Sequence, residues 1–422
     1  MDKLVIKGDI VSSESLDQLK TIENGYICLK DGRIAGVSDH IPEGFEDAPL
    51  EDRSGMLIMQ TFCDMHLHAP QYPMLGLGMD LPLVDWLNTY AFPLESRFAD
   101  TGYAREVYSM LAKDLICHGT TRVAMFSSLH TDSTLVLMEE LEAAGITGYV
   151  GKVNMDRNGS PILQETTEES KRETLRWLEE CKRFKKVKPI LTPRFTPSCT
   201  DELMEFLGDL SAERGLPVQS HLSENTSEIE WVKELRPDCE EYWETYEKTG
   251  LWHDRTLMAH CVHCSEREKK AMRDHGVTVV HCCNSNTNIC SGIMPLRKML
   301  DEDIKAVLGS DISGGDNLNC FDVVANTVRT SKARTIMDDW KTAPVTEIEA
   351  WYLATSAAAP WFGGSAGFAE GDLLHAMILD DSKLMREGLS VEERFKRCFY
   401  KRQPLSIREV WSEGEKVFTA NV

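Results

Sequence analysis

Two histidines stand two residues apart in Cys63-Asp64-Met65-His66-Leu67-His68, at the end of an apolar run that begins near Met56. Along a strand, side chains at i and i+2 point to the same face. His66 and His68 therefore present two imidazoles together, half of a divalent metal site. Other apolar runs end in groups that could complete it: His221, His260 and Asp311, with Glu224 three residues beyond His221 in Ser220-His221-Leu222-Ser223-Glu224. Three imidazoles (His66, His68, His221) and one carboxylate (Asp311) are a donor set suited to Zn²⁺ or Fe²⁺. An open position on such an ion holds a water whose pKa falls toward neutrality. Glu224 can lie beside the metal without binding it and accept that water's proton as general base. His260 can hold or polarise the same water, or serve as a support for the ligands. A second metal reading uses Cys261-Val262-His263-Cys264 and His281-Cys282-Cys283 as a structural zinc cluster. The second half lacks C-x-x-C spacing, so buried free thiols are the plainer expectation.

Strands must carry these groups to one place. The middle of the chain alternates short apolar runs with longer charged helical stretches, as a parallel α/β fold requires. Strands are expected at residues 56–59, 122–126, 148–153, 188–192, 217–221, 256–260, 277–281 and 305–309, with helices such as 166–183 and 200–214 between them. Eight strand–helix units over this length predict a TIM-like (β/α)8 barrel, in which reactive groups lie at the C-terminal strand ends. Arg194 also falls at such an end. The rival doubly wound sheet would carry a glycine-rich phosphate loop after its first strand, and none is present. Residues 4–11, 25–30 and 33–37 read as short strands, with Asp31-Gly32 as a hairpin turn. Residues 376–379, 408–411 and 416–418 read as strands near the other end. Both termini are thus expected to build one small β-module in two parts, residues 1–57 and 366–422, around a barrel of residues 58–365.

The bulk numbers exclude some partners. The chain has 422 residues, 42% hydrophobic and 27% charged, and 46 basic against 68 acidic residues give a net charge of −22. That sign repels phosphate backbones and anionic lipid surfaces, so neither nucleic acid nor membrane is expected as a partner. No transmembrane run or export signal is visible, and thirteen irregularly spaced cysteines read as reduced thiols, so a cytoplasmic enzyme is expected.

The set His66-x-His68, His221-x-x-Glu224, His260 and Ser310-Asp311 resembles the amidohydrolase superfamily, in its mononuclear deaminase branch. That branch uses no bridging carbamylated lysine, and residues 189–193 contain no lysine. Within the branch, the chain is similar to the guanine deaminases in His66-Leu67-His68-Ala69-Pro70-Gln71-Tyr72, in residues 80–87, in Phe92-Pro93-Leu94-Glu95-Ser96-Arg97-Phe98 and in Thr192-Pro193-Arg194-Phe195. The resemblance runs from about Gly55 to about Thr330. It implies one Zn²⁺ per subunit, held by His66, His68, His221 and Asp311. Glu224 would shuttle protons with help from Asp311, and His260 would orient the nucleophile. Gln71 and Arg194 would hydrogen-bond the edge of a purine base, and Phe195 would pack on its ring. A homodimer is implied as well, and a composite β-sandwich as the form of the module built from residues 1–57 and 366–422. The chain departs from the pattern at Cys283 (usually proline), at His375 (usually aspartate) and at Pro360-Trp361. Rival expectations on the same scaffold are deamination or dechlorination of a pterin, triazine, cytosine or adenosine derivative. A non-catalytic barrel is the rival from another class.

Overall fold

The computed structural model of the protein describes residues 2–81, 83–401 and 406–420; Pro82 of the 80–87 motif and the ends of the two expected terminal domains, Met1, Asn421 and Val422, lie outside them. The fold is mixed α/β. Its strands are β1 (Lys3–Ser15), β2 (Gln18–Lys30), β3 (Arg33–Ser38), β4 (Leu50–Gln60), β5 (Phe62–Asp64), β6 (Thr120–Phe126), β7 (Thr147–Gly151), β8 (Val153–Asn154) and β9 (Val187–Pro189). They continue with β10 (Thr192–Pro193), β11 (Val218–Leu222), β12 (Thr256–His260), β13 (Thr278–His281), β14 (Ala306–Leu308), β15 (Ala376–Asp380), β16 (Ser406–Ser412) and β17 (Glu415–Thr419).

Two four-stranded parallel sheets occupy the centre, ordered β5-β6-β7-β9 and β11-β12-β13-β14. At one seam Leu191 bridges to Val218 in parallel register. At the other, the Met65 N–H donates to the Leu308 carbonyl (3.0 Å), Asp311 N–H to the His66 carbonyl (2.8 Å) and His68 N–H to the Ile312 carbonyl (2.8 Å). Between the sheets lies an apolar cluster that includes Met65, Ala124, Ile190, Leu257, Ala259, Val280 and Val307. The small alanines let facing strands approach, and the β-branched residues fill the remainder. Helices cover the outer faces, burying Trp177 and Trp351 completely. Their starts follow from local chemistry. Thr166, Asn225 and Ser265 each cap a helix, with a glutamate three residues on returning the hydrogen bond.

Seven of the eight expected parallel strands form where the apolar runs predict, two of them interrupted: residues 148–153 form β7 and β8, residues 188–192 fall in β9 and β10, and β8 and β10 pair in a sheet of their own. The first does not. Residues 56–59 belong to β4, which pairs in parallel with β1 and antiparallel with β15 in a separate seven-stranded sheet, β17-β16-β15-β4-β1-β2-β3. The short β5 takes its place in the parallel sheet, because a single apolar run from Met56 to Leu67 holds two strands that diverge at Thr61. Both ends of the chain supply the seven-stranded sheet. Its turns use the expected residues: Asp31 and Gly32 have φ of 53° and 76°, and Glu413 and Gly414 have φ of 51° and 81°. The turns meet, since a Cβ on Gly414 would lie 2.3 Å from the Gly32 Cα. Among the described residues, no helix is long and apolar enough to cross a membrane.

Candidate metal and substrate site

His66 and His68 follow β5, Phe126 ends β6, Arg194 and Phe195 follow β10, His221 lies in β11, His260 ends β12 and Asp311 follows β14. The structure brings all nine expected residues to one end of the parallel sheets. His68, Gln71, Arg194, Phe195, His221, Glu224, His260 and Asp311 line a single cleft. His66 lies against them, 1% exposed.

The nitrogens and oxygens converge. His66 Nε2 is 3.2 Å and His68 Nε2 is 3.5 Å from Asp311 Oδ1, and His68 Nε2 is 3.2 Å from His221 Nε2. A tetrahedral ion with metal–nitrogen bonds near 2.0–2.1 Å separates its ligand atoms by roughly 3.3 Å, and these spacings are close to that value. His66 Nε2 is buried without a hydrogen-bond partner, which a metal would resolve. The His221 Nδ1–H donates to the Arg194 carbonyl at 2.6 Å, which leaves Nε2 as the free lone pair. Burial holds His66 below the usual histidine range and holds His68 and His221 well below it, which favours the neutral form. Neutral rings are the form that ligates a metal. Burial raises the Asp311 carboxyl, but its contact with His66, followed by His260 and His68, outweighs this and lowers it below the usual carboxylate range. The donors present therefore fit a divalent cation.

Around this shell stand the supports. Phe126 packs against the His66, His68 and His221 rings at centroid distances of 5.0, 4.6 and 4.9 Å. The Asp64 carboxylate accepts from the Ser310 N–H (2.8 Å) and hydroxyl (2.5 Å), which ties the loop carrying Asp311 to β5. Ser223, His260, Cys261 and Asp311 have φ of 48°, 72°, 51° and 48°. Left-handed backbone costs of order 1–3 kcal/mol at a non-glycine residue and persists only where the surroundings enforce it. Its concentration at these strand ends shows how tightly the site is built. Gly309 allows the closest approach: a Cβ there would lie 2.8 Å from His66 Cβ and 3.0 Å from the His66 nitrogen. A Gly309→Ala variant is therefore expected to displace His66, lose about 1–3 kcal/mol of stability and retain less metal. Thermal melts and metal analysis check this, and wild-type values in both would refute it.

Glu224 is 5% exposed. Its Oε1 accepts from the Ser291 hydroxyl at 2.8 Å, and its Oε2 lies 3.6 Å from His260 Nε2. Burial raises its carboxyl above the usual range, the direction a proton carrier needs. Burial disfavours a charged His260, but Glu224 and Asp311 facing it outweigh that and raise it. His260 Nδ1 is 2.9 Å from Asn286 Oδ1, which orients the ring.

On the other side of the cleft, the Gln71 Oε1 accepts from the Ser313 N–H at 3.0 Å, and its Nε2 donates to Glu95 Oε1 at 2.8 Å. Arg194 pairs with Glu95 through two hydrogen bonds, Nη1 to Oε2 at 2.7 Å and Nη2 to Oε1 at 3.1 Å. Phe195 is only half-buried and meets Trp231 edge-on at 6.0 Å. Trp86, Leu87 and Ile289 supply further apolar wall. Sequence reasoning missed Glu95, Ser291 and Asn286. Glu95 lies in the segment Phe92-Pro93-Leu94-Glu95-Ser96-Arg97-Phe98, and its burial leaves no mark in the local pattern. The cysteines of the 261–283 region form no metal cluster among the described residues. All thirteen cysteines are free, and the Sγ atoms of Cys261, Cys282 and Cys283 donate to backbone carbonyls.

A family model described as "Amidohydrolase family" matches residues 57–415. The guanine deaminase of Dictyostelium discoideum is 34% identical over 449 residues, covering 98% of this chain and 98% of that protein. The guanine deaminase of Mus musculus is 42% identical over 327 residues, covering 77% of this chain and 68% of that one. Among solved structures, the guanine deaminase from C. acetobutylicum with guanine bound in its active site superposes with a TM-score of 0.96 at 41% identity. That match covers 99% of this chain and 100% of the other.

Proposed function

Because the chain belongs to the amidohydrolase family, we propose that it deaminates guanine by hydrolysis, giving xanthine and ammonia. The observation that carries this reading is the opening of the histidine–aspartate shell and the Gln71–Glu95–Arg194 edge onto one cleft. One Zn²⁺ per subunit, or Fe²⁺ in its place, would be held by His66, His68, His221 and Asp311. When bound, such an ion lowers the pKa of a water toward neutrality. Glu224 accepts that water's proton at Oε2 and delivers it to the ring nitrogen beside the amino-bearing carbon. His260, through Nε2, holds the attacking oxygen toward that carbon. The carbon becomes tetrahedral, Asp311 assists transfer of the second proton to the amino group, and ammonia leaves as the carbonyl forms. Gln71 and Arg194 donate to acceptors on the base edge, and Phe195 flanks the ring. A site built on such donors rejects rings that lack the matching acceptors.

The same reading makes the two parallel sheets one (β/α)8 barrel, spanning residues 58–365, and the seven-stranded sheet a composite β-sandwich of residues 1–57 and 366–422. β4 carries the sandwich strand on to Gln60. A homodimer located in the cytoplasm completes the proposal. An ammonia-release screen tests it, using guanine, other purines, pterins, pyrimidines and triazines. Guanine is expected to give the highest kcat/KM, and a pterin, triazine or pyrimidine giving a higher value would overturn the assignment.

A further inference from the structure

Glu95 touches neither the metal ligands nor Glu224, yet its carboxylate is buried, 2% exposed, and both oxygens are committed. Oε1 accepts from Gln71 Nε2 and Arg194 Nη2, and Oε2 from Arg194 Nη1. The residue sits on a one-turn helix, Phe92–Ser96, whose Phe92 ring also lies 5.2 Å from the Arg194 guanidinium. We propose that Glu95 is the positioning residue of the base-reading edge, and that its charge makes the cleft select a neutral base over an anionic one.

Two physical arguments lead there. The first concerns orientation. A glutamine amide offers a donor end and an acceptor end. The Ser313 N–H fixes which end of Gln71 is the oxygen, and Glu95 fixes which is the nitrogen. One Gln71 N–H and one lone pair remain for the ligand. The second concerns charge. A buried arginine without a counter-ion attracts anions strongly. With Glu95 engaged through two parallel hydrogen bonds, Arg194 keeps its remaining N–H donors while the pair as a whole carries no net charge. This rests on the guanine reading above and adds a consequence to it. Near neutral pH guanine is uncharged, while the product xanthine begins to lose a ring proton. A compensated Arg194 therefore holds the substrate without retaining the ionised product.

The test is xanthine binding, followed by calorimetry on the metal-loaded protein at pH 6 and pH 9, for the wild type, E95Q and E95D. The titrating species that matters is the ligand. Around the Glu95–Arg194 pair lie Tyr108 and His130, which feel the Glu95 charge, and His68, Glu224, Glu228, His260 and Asp311 along the cleft. The cleft groups are common to all three proteins, whereas Tyr108 and His130 lose the Glu95 charge in E95Q alone; E95D, which keeps that charge, is the control for them. In the wild type, xanthine binding is expected to weaken from pH 6 to pH 9. In E95Q, the uncompensated Arg194 is expected to reverse that trend and bind xanthine about tenfold more tightly than the wild type at pH 9. E95D keeps the charge but cannot reach both partners. It should keep the wild-type pH trend while guanine KM rises about tenfold and kcat stays within a few-fold. An E95Q protein with the wild-type pH trend would overturn the proposal. So would E95D with an unchanged guanine KM, and that arm stands even if E95Q fails to fold. Failure of the parent reading would look different: the wild type would release no ammonia from guanine.

Discussion

A Glu224→Gln protein will keep its metal and its affinity for guanine but turn over about 10³-fold more slowly, within the range usual for loss of a positioned proton carrier. The substitution is close to isosteric, and the surroundings can accommodate it. The Ser291 hydroxyl can donate to the amide oxygen as it does to Oε1, and the Glu224 N–H keeps its bond to Glu228 Oε2 at 2.8 Å. What disappears is a group able to accept a proton from water and release it to the ring. An amide nitrogen would then face His260 Nε2, where Oε2 now lies at 3.6 Å. Steady-state kinetics with parallel metal analysis decide the matter. Retained metal with near-normal kcat would show that Glu224 is not the shuttle. Lost metal would show that Glu224 contributes to holding the ion.

Stripping the metal with a chelator will abolish turnover and lower the melting temperature, and adding Zn²⁺ back will restore both. The stabilisation follows from mass action, because the ion binds the folded shell of His66, His68, His221 and Asp311 and has no such shell in the unfolded chain. At a thousandfold excess over Kd it amounts to about 4 kcal/mol. It also removes a cost that the stripped protein carries, namely His66 Nε2 buried without a hydrogen-bond partner. An Asp311→Ala variant should melt at a temperature that responds weakly to Zn²⁺. A stripped wild-type protein whose melting temperature ignores both Zn²⁺ and Fe²⁺ would refute the ligand set. A comparison of the two ions, added separately, shows which the shell prefers.

The candidate metal ligands were legible because they end three apolar runs, His66 and His68 sharing one, and strand periodicity fixes which way such residues point. Seven of the parallel strands were legible for the same reason. The first was misplaced because residues 56–59 are apolar enough for either sheet, and local pattern carries no information about partners. Ile58 pairs with Ile10 on one side and Ile378 on the other, contacts that no window of neighbouring residues contains. Glu95 was invisible as a site residue for a related reason. Its partner Arg194 lies 99 positions away, and an isolated glutamate in a sequence is most often a solvated surface group. Ser291 and Asn286 reach their partners from the loop and short helix after β13, where no periodicity marks them. The cysteines around residue 261 were ambiguous because metal ligation and burial favour the same residue type.

The seven-stranded sheet also constrains how this chain can be made. β4 ends at Gln60 and its antiparallel neighbour β15 begins at Ala376. A ribosome adding about 5–20 residues per second leaves β4 without that neighbour for on the order of tens of seconds. Throughout that interval the backbone edge of β4, with Leu57, Ile58 and Met59 that end up fully buried, is open to pairing with other nascent chains. Yield in a cell should therefore depend on translation speed and chaperone supply more steeply than the stability of the finished protein would indicate.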